Sequence, residues 1–288
     1  MNTNLNTTRP KLANPWIYFA ATFLWTWSFW GLAILNGSNM EVGEGIGLLL
    51  LGVAGPTITG ILFTYLTRDK EGRQDFWKRV IGFNRIPAVW YLVIVLFVPA
   101  MHLIAVLLDI LFGGGGSTWG ELARGAAANP LSILFSIMFS TLIPFIEELG
   151  WRGYLLDRLQ AKWSAPASSL ILGLLWSLWH LPMFFIRGSY QAGLGIGTLE
   201  FWLFFLSIVP LTFVFTWIFN NTGRSTLATI LFHSMINFTG ELVLLSKNAD
   251  TIYNLLWFAV AIAITAMWAR KRSHSGRKHN LDTFNPVH

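Results

Sequence analysis

The chain is 288 residues long, 54% hydrophobic and only 12% charged, with a mean hydropathy of +0.54 and 15 Trp, whereas a soluble domain carries about twice that charged fraction. It has no Cys, which excludes disulfides, thiolate metal sites and cysteine nucleophiles together. The formal net charge of +6 would suit an anionic partner, but its placement along the chain decides what it means.

Residues 1–16 are polar and read as an N-terminal tail. Apolar runs then fall at roughly 17–35, 45–67, 88–112, 131–148, 165–186, 198–220, 226–246 and 252–270, each near the 17–25 residues that cross a hydrocarbon core as helix. The first run is too long for a signal-peptide core and no small-residue cleavage site follows it, so it reads as a retained helix. Period-2 alternation is missing, and a helix satisfies its own backbone groups in lipid. The expectation is an all-α polytopic membrane protein of about eight transmembrane helices, a single membrane domain over residues 1–288. A basic tail, 271–288, closes the chain.

The basic residues cluster before the first run and after the second, fourth, sixth and eighth, leaving only Arg124, Arg187 and Lys247 of the 20 Lys and Arg for the alternate loops. The positive-inside rule then places both termini, the 1–16 tail and the 271–288 tail, in the cytoplasm. The lipid bilayer accounts for the charge, and no nucleic-acid partner is expected. The loop 68–87, with Phe76 and Trp77, reads either as an interfacial helix whose aromatic rings sit at headgroup depth or as a solvated linker. Gly43-x-x-x-Gly47 and Gly193-x-x-x-Gly197 have the spacing of close helix contacts.

Pro56, Pro99, Pro144, Pro182 and Pro210 lie within or beside apolar runs, where a missing N–H frees a carbonyl and opens a cavity. Two of these breaks flank ionisable residues, which are rare and usually functional at that depth. Glu147, Glu148 and Arg152 end the fourth run. Glu148 and Arg152 are i, i+4 neighbours about 40° apart on a helix and can neutralise each other, whereas Glu147 is rotated about 140° from Arg152 and must find a partner on another span. His180 lies in the fifth run, in Trp176-Ser-Leu-Trp-His180, and His233 with Asn237 shares one helix face in the seventh.

These groups supply the parts of a hydrolytic centre in an intramembrane polar cavity. A carboxylate and an imidazole could activate one water, while a second imidazole and an amide donate to the oxyanion of an attacked peptide carbonyl. Glu241 continues the His233 and Asn237 face by one turn, and could either orient His233 or sit at the external interface. Each group alone reads equally as packing glue between helices; three separate spans carrying them argue for one shared site. A proton-coupled transporter and a non-catalytic scaffold or immunity protein are the other classes such a constellation allows.

The residues resemble the type II CAAX prenyl endopeptidase and bacteriocin-processing (CPBP/Abi) family of intramembrane proteases. Its Glu-Glu-x-x-x-Arg motif is met by Glu147, Glu148 and Arg152. Its Phe-x-x-x-His motif is met with Trp176 at the aromatic position and His180, and its His-x-x-x-Asn motif by His233 and Asn237. The matching stretch covers about 140–240. The resemblance implies peptide-bond hydrolysis with Glu147 and His180 activating water and His233 and Asn237 stabilising the oxyanion, on a membrane-associated peptide or protein substrate, prenylated or bacteriocin-like. It also implies a prokaryotic inner membrane. Members are described both as metalloproteases and as metal-free glutamate enzymes. The His-Glu-x-x-His signature of zinc is missing here. The metal-free version is preferred, with Glu147, His180 and His233 as the three ligands if zinc takes part.

Overall fold

The computed structural model describes residues 11–282. Residues 1–10 of the expected N-terminal tail and 283–288 of the basic tail lie outside the described residues. The first helix, α1, spans Pro15–Leu35, with Asn14 accepting from the Trp16 amide at its start. The second apolar run divides at Ala54 into α2 (Ile46–Val53) and α3 (Gly55–Thr67). Pro56 cannot donate to the Gly52 carbonyl, and that carbonyl accepts the Thr26 hydroxyl of α1 at 2.8 Å instead. Along the same face Trp30 Nε1 donates to Leu49 O at 3.1 Å and Tyr18 Oη to Pro56 O at 3.1 Å. The break is therefore satisfied from a neighbouring helix, as the absence of water at that depth requires.

An amphipathic helix, α4 (Lys70–Ile81), follows, capped by Asp69. Phe76 is fully buried beside Leu149 and Ile230, facing protein and not lipid, because the helix docks on the bundle; Trp77 is half-buried and bonds Tyr65. Then come α5 (Ala88–Leu111) and a connection that holds strand β1 (Ser117–Trp119) and α6 (Glu121–Ala128). Next, α7 (Ser132–Gly150) continues through a π-helical turn, Trp151–Leu155, into α8 (Leu156–Gln160). The fifth run gives α9 (Ala165–Trp179), ended by His180 and a 3₁₀ turn that contains Pro182.

A short α10 (Tyr190–Leu194) leads to α11 (Leu199–Asn221), then α12 (Thr226–Leu242), strand β2 (Val243–Leu245) and α13 (Lys247–Asp282). The two three-residue strands pair antiparallel, Thr118 opposite Leu244. The last helix continues past Arg270 into the stretch expected as a tail.

Among the described residues, seven helical segments rather than eight are long and apolar enough to cross a membrane. The difference is α12: at 17 residues it is shorter than the other spans because the chain turns into β2 at Val243, and His233, Asn237 and Glu241 dilute its hydropathy. It packs against α5, α7 and α11, and most of its first half is buried. The protein is an all-α polytopic integral membrane protein.

Close helix approach uses other glycines than the spaced pairs. A Cβ at Gly43, Gly47, Gly193 or Gly197 would meet open space, whereas one at Gly150 would lie 2.2 Å from the Pro56 carbonyl oxygen and one at Gly60 would lie 2.9 Å from Gly150 Cα. Backbone thus crosses backbone where α3 meets α7, one turn from the carboxylate pair.

Candidate active site

The two carboxylates at the end of α7 leave different faces of the helix, as their 100° separation requires. Glu148 turns into the bundle and is fully buried with Arg152. Its Oε1 accepts from Arg152 Nη1 at 2.7 Å and faces His233 Nδ1 at 3.0 Å. The guanidinium lies 4.5 Å from the Trp176 ring centroid and 3.9 Å from that of Phe215. Two aromatic faces therefore replace water around a cation that has one carboxylate partner. The i, i+4 pair forms across the π-helical turn, an irregularity frequent where side chains must be re-aimed.

Glu147 points elsewhere. Its Oε2 accepts the indole N–H of Trp176 on α9 at 2.8 Å. One turn on, His180 Nδ1 meets the Trp176 carbonyl at 2.8 Å, so this nitrogen carries the proton and Nε2 keeps its lone pair. The two imidazoles flank Trp176, with ring centroids 5.9 Å (His180) and 5.5 Å (His233) from it. The side chains of α7, α9 and α12 that the sequence singled out, Glu147, Trp176, His180, His233 and Asn237, share one cavity of about 390 Å³. Its remaining wall is largely apolar, with Ile143, Leu203, Phe204 and Leu211. A larger chamber of about 910 Å³ adjoins it, sharing Tyr190, Ile236, Asn237, Asp250 and Tyr253.

Glu241 does not touch His233. It is exposed, lines the larger chamber and accepts the Ser140 hydroxyl at 3.3 Å. The acid on His233 is Glu148, which arrives from α7 because the π-turn and the α7–α12 packing bring it there; helix periodicity alone ranks Glu241 higher. Sequence reasoning also missed Phe215, the second ring over Arg152, and gave Trp176 only an aromatic role. His102, in the larger chamber, packs at a tilt against the Tyr253 ring, with centroids 4.4 Å apart. For zinc, the alternative ligand set was Glu147, His180 and His233. Among the described residues no three His, Asp or Glu side chains stand close enough together to hold a metal ion. His180 Nδ1 is held by a carbonyl and His233 Nδ1 by Glu148, which leaves the Nε2 of each ring open, so the separation of the three groups is what decides the fit. As arranged, this donor set does not fit zinc.

Residues 129–239, which run from the approach to α7 through the catalytically suggestive part of α12, match the family model of type II CAAX prenyl endopeptidases, Rce1-like. The chain is also 32% identical over 255 residues to CAAX prenyl protease 2 of Methanococcus maripaludis, a match covering 87% of this chain and 93% of the relative. The chain belongs to this family. It is accordingly a membrane-embedded endopeptidase acting on a peptide or protein substrate. The family match contains all the residues that line up on Trp176, and it leaves out α1 to α6 and α13, the last of which also lines the cavity.

Proposed function

We propose that this type II CAAX endopeptidase cleaves its substrate in the shared cavity by metal-free, glutamate-dependent hydrolysis. Glu147 and the Nε2 lone pair of His180 orient a water. Glu147 takes one of its protons as the oxygen attacks the scissile carbonyl carbon, and returns it to the departing amine when the C–N bond breaks. His233 Nε2 and the Asn237 amide donate to the oxyanion in between. For Nε2 to donate while Nδ1 faces Glu148, His233 must carry both ring protons, and Glu148 is the carboxylate that balances this charge. Two carboxylates, one guanidinium and one imidazolium then sum to zero in a buried site, which avoids the desolvation cost of a net charge.

The observation that carries the reading is the convergence of Glu147, His180, His233 and Asn237, from three helices, on one cavity wall. The name of the relative supports a CAAX-type C-terminal peptide bearing a prenyl chain as substrate, with the apolar wall around Phe204 and Leu211 to receive the chain; a bacteriocin-like peptide is the alternative. The test is cleavage of matched prenylated and unprenylated peptides in proteoliposomes. Wild type should cut the prenylated one faster, and Glu147→Gln should lose at least about 100-fold of that rate. Full activity in Glu147→Gln refutes the assignment, and equal cleavage of both peptides refutes the prenyl-dependent substrate.

The distribution of basic residues supports both termini lying in the cytoplasm, and the relative from Methanococcus maripaludis supports a prokaryotic cell membrane. On that orientation the ends of α10, α11 and α13 that border the cavity, with Tyr190, Glu200 and Asp250, lie on the face away from the cytoplasm.

A further inference from the structure

At the opposite end of the bundle from this cavity mouth is a second hollow, of about 290 Å³, bordered by Thr67, Arg68, Asp157, Arg158 and Arg224. Thr67 ends α3, Arg158 lies in the last turn of α8, Arg224 sits between α11 and α12, and Ala13, just before α1, closes the rim. Five helical segments thus begin or end here, which sets the hollow at headgroup depth. Trp16, half exposed, and Trp163 pack edge to face beside the same end, as interfacial anchors do.

The charge in this hollow is not balanced. Asp157, almost buried, is shared by three guanidinium groups: Arg79 at 2.8 Å, Arg68 at 3.2 Å and Arg224 at 2.6 Å. The next carboxylate, Asp75, is itself divided between Arg79 and Arg85. Arg158 has no carboxylate partner among the described residues. It donates Nη2 to the Thr67 hydroxyl at 3.0 Å, lies over the Tyr154 ring at 5.1 Å, and keeps a buried Nε with no acceptor. Arg224 holds a left-handed backbone, φ 59°, rare for a residue with a Cβ, and is the only such non-glycine among the described residues. Water can satisfy the exposed Arg224, but not the buried Nε of Arg158, which has no acceptor. Here one carboxylate faces the hollow together with three arginines.

We propose that this hollow binds a tetrahedral phosphate, and that the phosphate is the headgroup of an anionic phospholipid. Arginine forks match phosphate oxygens, and basic groups at a bilayer surface attract anionic lipid. The bound headgroup ties the ends of α3, α8 and α11 together from outside the cavity, so it stabilises the fold without entering the chemistry. The inference stands on this hollow alone and does not depend on the catalytic reading.

The test uses the purified full chain in nanodiscs and in micelles for native mass spectrometry. Phosphatidylglycerol should bind about tenfold tighter than phosphatidylcholine of the same acyl chains, and should raise the unfolding temperature. Arg158→Gln should abolish both effects and leave peptide cleavage in phosphatidylcholine unchanged. If Arg158→Gln does not fold, Arg224→Gln is read in the same way. No preference in wild type, or an undiminished preference in the variants, overturns the proposal. An equal stabilisation by inorganic phosphate in phosphatidylcholine overturns the lipid assignment.

Discussion

Removing Glu148 should damage the protein in two separable ways. Its carboxylate accepts a charge-assisted bond from Arg152 at 2.7 Å, with both side chains at 0% exposure, and meets His233 at 3.0 Å. Breaking a buried pair from one side costs about 3–5 kcal/mol, because the surviving charge has neither water nor partner. At about 2–4 °C per kcal/mol for a chain of this size, Glu148→Leu should unfold on the order of 10 °C below wild type. Replacing both partners is different: Glu148→Leu with Arg152→Met leaves no stranded charge, and should recover about 2–3 kcal/mol of the single-variant loss. Cleavage should not recover with it, since His233 still lacks the acid that sets its proton. The assay is thermal unfolding in detergent for wild type, both single variants and the double, with turnover measured per folded molecule. A double variant as unstable as the singles would show that the pair is not what holds the helices. A double variant with restored turnover would show that Glu148 does nothing for His233.

Trp176→Phe should keep a ring over Arg152 but lose the bond to Glu147, lowering turnover about tenfold with little change in unfolding temperature; unchanged turnover would reduce the indole N–H to packing. Asn237→Ala should reduce kcat about 100-fold or more with KM nearly unchanged, measured by steady-state cleavage. A strong chelator should leave cleavage intact, and elemental analysis of active protein should find no stoichiometric zinc. Because the chain has no Cys, single reporters are clean: a bilayer-impermeant thiol reagent should label Ile196→Cys in whole cells and spare Lys162→Cys. The reverse pattern would invert the orientation.

What the sequence disclosed follows from the reach of its periodicities. Hydropathy over twenty residues marks a helix, and i, i+4 spacing marks a face, so the Glu148–Arg152 pair and the shared face of His233 and Asn237 could be read directly. Spacing within a helix says nothing of which neighbour that face meets. Glu241 lies two turns from His233 on the same face and bonds Ser140, while Glu148, 85 residues away, faces His233. The spaced glycines failed for the same reason: Gly60 and Gly150 approach each other across two helices, and no local pattern links them. Among the expected spans α12 is the short one, because the polar residues it turns toward the cavity interrupt its apolar run.

That last conflict has a physical cause. A helix that must present two hydrogen-bonding groups to a wet cavity cannot also be uniformly apolar, so it is placed where protein instead of lipid covers it. In α12 the first half is buried against α5, α7 and α11, and the polar residues follow where the wall of packed helices opens into the cavity. The same logic accounts for Trp176. Deep in the membrane Glu147 needs a donor that is not itself charged, and an indole supplies one while its ring covers the neighbouring guanidinium. One side chain thus serves both carboxylates, neutral donor to the first and aromatic lid over the partner of the second.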